Sequence, residues 1–186
     1  TTTAQPAGDI TQASVVLDTL ARVVQPIDAV VAPNGEWWVA QRSGEILVMD
    51  PASGVTGDTV LDINAETTPR GERGLLGVAV DDEAIYVNFT DLDGTTNIDA
   101  WLLDDAGRPG ERVPLLTIEQ PFGNHNGGGL AIGPDGHLYV GVGDGGSADD
   151  PLDAGQDPFQ ILGSIVRIDP TPTEAAPYAI PTDNPY

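Results

Sequence analysis

The stretch Leu130-Ala131-Ile132-Gly133-Pro134-Asp135-Gly136-His137-Leu138-Tyr139-Val140-Gly141-Val142 sets two apolar runs on either side of a Pro-Asp-Gly turn. Asp-Gly between apolar runs is a strong hairpin signal, because glycine accepts the positive φ that a tight turn demands. The same grammar occurs twice upstream. Ile27-Asp28-Ala29-Val30-Val31-Ala32, then Pro33-Asn34-Gly35, then Trp37-Trp38-Val39-Ala40 form the first passage, closed by Ile46-Leu47-Val48-Met49-Asp50. Gly74-Leu75-Leu76-Gly77-Val78-Ala79-Val80, then Asp81-Asp82, then Ile85-Tyr86-Val87-Asn88-Phe89 form the second, closed by Ala100-Trp101-Leu102-Leu103-Asp104. Ile165-Val166-Arg167-Ile168-Asp169 closes the third.

The turns recur about every 50 residues, and three or four strands per unit at that period is the pattern of a β-propeller. The expected fold class is therefore all-β, a β-propeller of which about three to three and a half blades are present. Rings usually close with about 4–8 blades, so residues 1–186 are expected to form one domain, the N-terminal portion of a longer propeller. Residues 1–12 are expected to be a flexible segment. Gln12 to Val24, with Val15, Val16, Leu17, Leu20 and Val23, reads either as a helix or as a strand, and its β-branched residues suit a strand at least as well.

Composition narrows the function. The 186 residues suffice for one sizeable core, since a chain of that length buries roughly 70% of its unfolded surface. With 23 Gly and 16 Pro, the chain is rich in turns. Twenty-nine acidic residues against seven basic ones, all Arg, give a net charge of −22. Such a field repels phosphate backbones and anionic membranes, so nucleic-acid binding is not expected. No apolar run approaches the ~20 residues that span a bilayer, and membrane insertion is not expected either. The absence of Cys excludes disulfides and thiolate chemistry. The acidity reads either as solubility in a salty or extracellular setting or as an acidic binding face, and a start at Thr1 without Met suits a mature secreted product, a trimmed chain or an internal fragment alike.

The chemistry-bearing passage is Asn124-His125-Asn126-Gly127-Gly128-Gly129, which leads through the hairpin to Gly143-Asp144-Gly145-Gly146. Glycines there permit close backbone approach, and antiparallel pairing through Asp135-Gly136 makes Asp144 a candidate partner for His125. A carboxylate on one ring nitrogen fixes the tautomer and leaves the other to take a proton. From spacing alone, His125 reads either as a general base or as a structural, hydrogen-bonded histidine. His137, beside the turn glycine, reads as solvated.

Other motifs carry less. Gly141-Val142-Gly143-Asp144-Gly145-Gly146 matches the dinucleotide fingerprint formally, but Ser147-Ala148-Asp149-Asp150-Pro151 replaces the helix the pyrophosphate needs. Asp144, Asp149, Asp150, Asp153 and Asp157, and likewise Asp91, Asp93, Asn97 and Asp99, read either as calcium ligands or as acidic turn residues. Neither set has EF-hand spacing. The sequon Asn88-Phe89-Thr90 falls within an expected buried strand.

Gly71-Glu72-Arg73-Gly74-Leu75-Leu76-Gly77-Val78-Ala79, Tyr86-Val87-Asn88-Phe89-Thr90 and Asn124-His125-Asn126-Gly127-Gly128 resemble the soluble quinoprotein glucose/sorbosone dehydrogenase family. So do the run from Gly133 to Gly146, Leu162-Gly163-Ser164-Ile165-Val166-Arg167-Ile168-Asp169 and Tyr178-Ala179-Ile180-Pro181-Thr182-Asp183-Asn184-Pro185. The resemblance implies a six-bladed propeller that binds pyrroloquinoline quinone (PQQ) and calcium on its axis. It implies oxidation of an aldose at its anomeric hydroxyl to the lactone, with hydride passing to the quinone and the electrons then to an external acceptor. His125 then occupies the place of the general base, in contact with the quinone, and Asp144 that of its supporting carboxylate. Glu72 stands where the glucose-oxidising branch has a Gln bonded to the quinone, and a carboxylate beside a polyanion needs a proton or a cation. Asn124 and Asp149 fall near places that touch the sugar. The family's later quinone ligands and its calcium-binding carbonyls are expected beyond Tyr186, so no metal ligand is assigned within the sequence. Two rival readings remain: a non-catalytic binding module of the hedgehog-interacting-protein type, and a calcium-dependent lactonase-like hydrolase.

Overall fold

The computed structural model describes residues 14–54, 56–173 and 175–185. The proposed flexible segment 1–12 lies outside them. Three antiparallel sheets follow one another along the chain, each with its strands in sequence order. The first contains β1 (Pro26–Val31), β2 (Trp37–Gln41), β3 (Glu45–Met49) and β4 (Thr56–Asp62). The second contains β5 (Leu75–Val80), β6 (Ala84–Thr90), β7 (Thr96–Leu103) and β8 (Pro109–Ile118). The third contains β9 (Leu130–Ile132), β10 (Leu138–Gly141) and β11 (Ile165–Ile168).

Each sheet is a blade of a partial β-propeller, because its first strand lies innermost. Residues of β1, β5 and β9 line one groove of about 350 Å³, from Asp28, Val30 and Val31 through Val78–Val80 to Leu130–Ile132. Asp28 ties two of these strands together, its Oδ2 accepting the Val78 N–H at 3.3 Å. Where β5 passes the loop before β9, Gly77 leaves no room for a side chain. A Cβ there would sit 2.0 Å from the Gly128 carbonyl oxygen.

The second blade is covered on both faces, which explains why all seven residues of β6 are buried. Successive side chains of a strand point to opposite faces. Ile85, Val87 and Phe89 accordingly pack with Trp38, Ile46 and Leu75 toward the first blade. Ala84 and Tyr86 pack with Ile98, Leu138 and Val140 toward the third. Trp38 is fully buried and its indole N–H donates to Glu36 Oε2 at 3.0 Å, so the gain of burying the ring, on the order of 2–3 kcal/mol, is not offset by a stranded donor.

Residues 14–23 correct one expectation, since they form neither helix nor strand. Val15, Val16 and Leu17 are more than 80% exposed. The Leu20 carbonyl lies against Gly54, where a Cβ would sit 1.4 Å from it, and just after the segment Val24 N–H donates to Gln41 Oε1 at 3.2 Å and Arg42 N–H to the Gln25 carbonyl at 3.0 Å. A strand needs a continuous ladder, and β-branched composition alone does not supply one.

Candidate active site

Three loops converge at one end of the blades. One, residues 119–129, joins β8 to β9 and carries His125; a second follows β10 and carries Asp144; the third, residues 68–74, enters β5 and carries Glu72. Backbone contact between the first two is close because Gly143 has no side chain: a Cβ there would lie 1.7 Å from the His125 carbonyl oxygen.

His125 Nδ1 lies 2.9 Å from Asp144 Oδ1, with the ring 44% and the carboxylate 25% exposed. Asp144 also accepts the Gly146 N–H at 3.0 Å. That backbone donor first, and His125 second, hold the Asp144 carboxyl below the usual carboxylate range. Because the folded value is depressed, Asp144 contributes stability above its unfolded pKa of about 3.9, and loses it as pH falls through the lower folded value. A carbon-detected NMR titration is expected to place the Asp144 midpoint below that of exposed aspartates. A midpoint at or above theirs would mean that these hydrogen bonds are not made in solution.

The main chain of His125 is held as firmly as its ring. Its φ of 53° lies in the left-handed region, uncommon for a side chain of this size. Its N–H donates to Glu72 Oε2 at 2.6 Å. The Glu72 loop is itself tied to the first blade: Arg42 Nε donates to the Arg73 carbonyl at 2.8 Å, Arg42 Nη2 donates to the Gly71 carbonyl, and Leu75 N–H donates to the Arg42 carbonyl at 3.0 Å.

Not every residue singled out from sequence meets the others. Asn124 Oδ1 accepts the Ser147 N–H at 3.1 Å, bracing the loop after Asp144. Asp149 is exposed, with φ 62°, and makes no hydrogen bond to His125, Asp144, Glu72 or Asn124. Within the acidic clusters, Asp91, Asp150 and Asp157 bind the backbone of their own turns, whereas Asn97 and Asp99 lie in β7. Asp91 accepts three backbone N–H groups and the Asn97 amide, Asp150 accepts from Ala154 and Gly155, and Asp157 accepts from Phe159 and Gln160. Among the described residues, no three His or acidic side chains gather around a common point.

The dinucleotide-like run leads to a single 3-10 turn, Ala154–Gln156, and not to a helix. Asn88 of the sequon is 1% exposed. His137 departs from the solvated reading: its Nδ1 lies 3.3 Å from Asp135 Oδ2, in a network where Asp135 also meets Tyr139 and Arg167. Arg42 was not anticipated, since a lone Arg at a strand end carries no motif.

The donor set suits an anionic quinone in part. His125 Nε2 has no partner among the described residues and its ring is open to solvent. Glu72 suits it less, being a carboxylate with one oxygen already committed to a backbone N–H.

Comparison with known proteins agrees with this architecture. The family model described as Glucose / Sorbosone dehydrogenase matches residues 23–186. The PQQ-bound form of the aldose sugar dehydrogenase of Streptomyces coelicolor superposes with a TM-score of 0.69 and 28% identity, covering 88% of this chain and 52% of that one. The hedgehog-interacting protein of Mus musculus is 27% identical over 202 residues, 92% of this chain and 28% of its own length. The HIPL1 protein of Arabidopsis thaliana is 37% identical over 89 residues, 42% of this chain and 13% of its own length. The chain thus spans about half of the similar dehydrogenase and less than a third of these two curated relatives.

Proposed function

The chain belongs to the glucose/sorbosone dehydrogenase family, and from that premise we propose that it acts in the PQQ-dependent oxidation of an aldose at its anomeric hydroxyl to the lactone. The observation that carries this reading is the His125–Asp144 pair at 2.9 Å with Nε2 left open. His125 Nε2 takes the hydroxyl proton as general base. Asp144, on Nδ1, keeps the ring in the tautomer whose Nε2 is the acceptor, and stabilises the imidazolium once the proton has moved. When bound, PQQ supplies the two-electron acceptor, and His125 is the residue of this chain proposed to face it. Calcium is proposed as the accompanying cofactor through the family resemblance alone. An external electron acceptor and a periplasmic or secreted location complete the proposal. Asn124 and Asp149 are kept as proposed sugar contacts, with Asn124 offering only its Nδ2 once Oδ1 is engaged.

A second reading has its own support, because the match to the hedgehog-interacting protein covers 92% of the chain. It makes the chain part of a non-catalytic binding module. Titration with PQQ and calcium of the chain extended to the full length of the similar dehydrogenase, followed by absorbance, and then sugar-dependent dye reduction, separates the two. Saturable PQQ binding with sugar-dependent turnover is the expected result. No spectral change at any PQQ concentration would overturn the dehydrogenase reading and favour the binding module.

A further inference from the structure

We infer that Glu72 is a positioning residue, holding the backbone of His125 from the neighbouring blade, and that this is its role in place of cofactor binding. The catalytic consequence rests on the function proposed above; the positioning itself rests on geometry alone.

His125 is pinned at two points by two carboxylates from two different loops. Asp144 fixes the ring through Nδ1, and Glu72 fixes the peptide through the N–H at 2.6 Å. The second contact answers a specific difficulty. At φ 53° the His125 main chain occupies the left-handed region, which is strained for a non-glycine residue. A loop holding it needs a compensating interaction. A hydrogen bond from a peptide N–H to an ionised carboxylate is among the stronger ones available.

Glu72 can serve as an anchor because its own loop does not drift. Arg42, from the end of the first blade's β2, donates through Nε to the Arg73 carbonyl and through Nη2 to the Gly71 carbonyl, bracketing Glu72 on both sides. The Arg42 carbonyl in turn receives the Leu75 N–H. Positional information thus runs from the first blade through Arg42 to the Glu72 loop, and from Glu72 to the histidine beside the third blade. Since one Glu72 oxygen is spent on this bond and the group is anionic, it is a poor ligand for a polycarboxylate quinone and a good one for a peptide N–H.

Hydrogen exchange at the His125 amide tests this without reference to activity. Glu72 is exposed, so its truncation leaves the core untouched. In Glu72→Ala the His125 amide is expected to exchange at least about tenfold faster, while Glu72→Gln, which keeps an acceptor oxygen, stays within about threefold of the parent. Arg42→Gln is expected to raise exchange in the same direction by a smaller factor. In the PQQ-loaded protein, Glu72→Ala should lower kcat about 10- to 100-fold with sugar KM and PQQ affinity within about threefold, and Glu72→Gln should restore kcat. Unchanged exchange in Glu72→Ala would overturn the inference, as would a loss of PQQ affinity with kcat intact, which would make Glu72 a cofactor ligand. A parent protein that fails to bind PQQ would defeat the proposed function instead, and the exchange measurement would still decide the positioning role.

Discussion

At saturating PQQ, His125→Ala is expected to lower sugar-dependent turnover by about 10²–10⁴-fold, equivalent to roughly 3–5 kcal/mol of transition-state stabilisation. The size of the effect follows from what is lost. Removing the ring deletes the only imidazole at the convergence of the three loops, and the described residues there offer no second neutral nitrogen base. The residual rate would then come from whatever positioning and electrostatics remain. Asp144→Ala leaves the base in place but frees its tautomer and orientation, so a smaller loss of about 10- to 100-fold is expected. The loss should appear in kcat more than in sugar KM, since the pair at 2.9 Å acts on the proton in flight and not on the resting sugar. Steady-state kinetics with a dye acceptor reads both numbers. Turnover within threefold of the parent in His125→Ala would remove the histidine from the mechanism even if PQQ binds.

How much of this was legible in sequence depends on the distance over which each signal acts. The hairpins were legible because alternation and turn glycines are local: Asp135-Gly136 fixes the pairing of β9 with β10, and the pairing delivers Asp144 to His125. The outer strands β4 and β8 were not anticipated. Each lies at the edge of its blade, and its buried and exposed positions follow no strict alternation, so no period of two marks it. Residues 14–23 erred in the other direction, carrying strand-like composition without a partner to pair with. The Glu72–His125 bond joins a side chain to a peptide N–H across 53 positions, and no periodicity encodes that. In sequence Asp99 reads with Asp91, Asp93 and Asn97 as part of an oxygen-rich cluster. It is in fact a strand position of β7, 2% exposed, whose partner is supplied by the register of β8.

That partner gives the largest expected effect on stability. Arg112→Ala is expected to destabilise the chain by about 3 kcal/mol or more, because it leaves the Asp99 carboxylate buried and uncompensated. Register places Arg112 opposite Trp101, and Asp99 lies two residues before Trp101 on the same face. From there the guanidinium lies 2.6 Å from Asp99 Oδ2 and 2.5 Å from Glu66 Oε2, with its carbon 4.9 Å from the Trp101 ring centre and 5.5 Å from that of Phe89. One side chain thus neutralises a buried acid and covers two aromatic faces of the core between the first two blades. Arg108, by contrast, pairs with Glu36 at 2.7 Å on a more open surface, and Arg108→Ala should cost less than about 1 kcal/mol.

The pH dependence supplies an internal control. Burial, outweighing Arg112, raises the Asp99 carboxyl above its ordinary value. A raised acid favours the fold most below its unfolded pKa of about 3.9, where it is neutral in both states, and that advantage is lost as pH rises toward the folded value. Without Arg112 the folded value rises further, so the gap between Arg112→Ala and the parent should be widest near neutral pH and narrow on acidification toward pH 4. Asp99→Asn in the Arg112→Ala background removes the stranded charge and should recover part of the loss. Thermal melts are expected to show a fall of roughly 6–12 °C for Arg112→Ala at pH 7. A gap independent of pH, with no recovery from Asp99→Asn, would mean that Arg112 stabilises the chain through its contacts with Trp101 and Phe89 and not through Asp99.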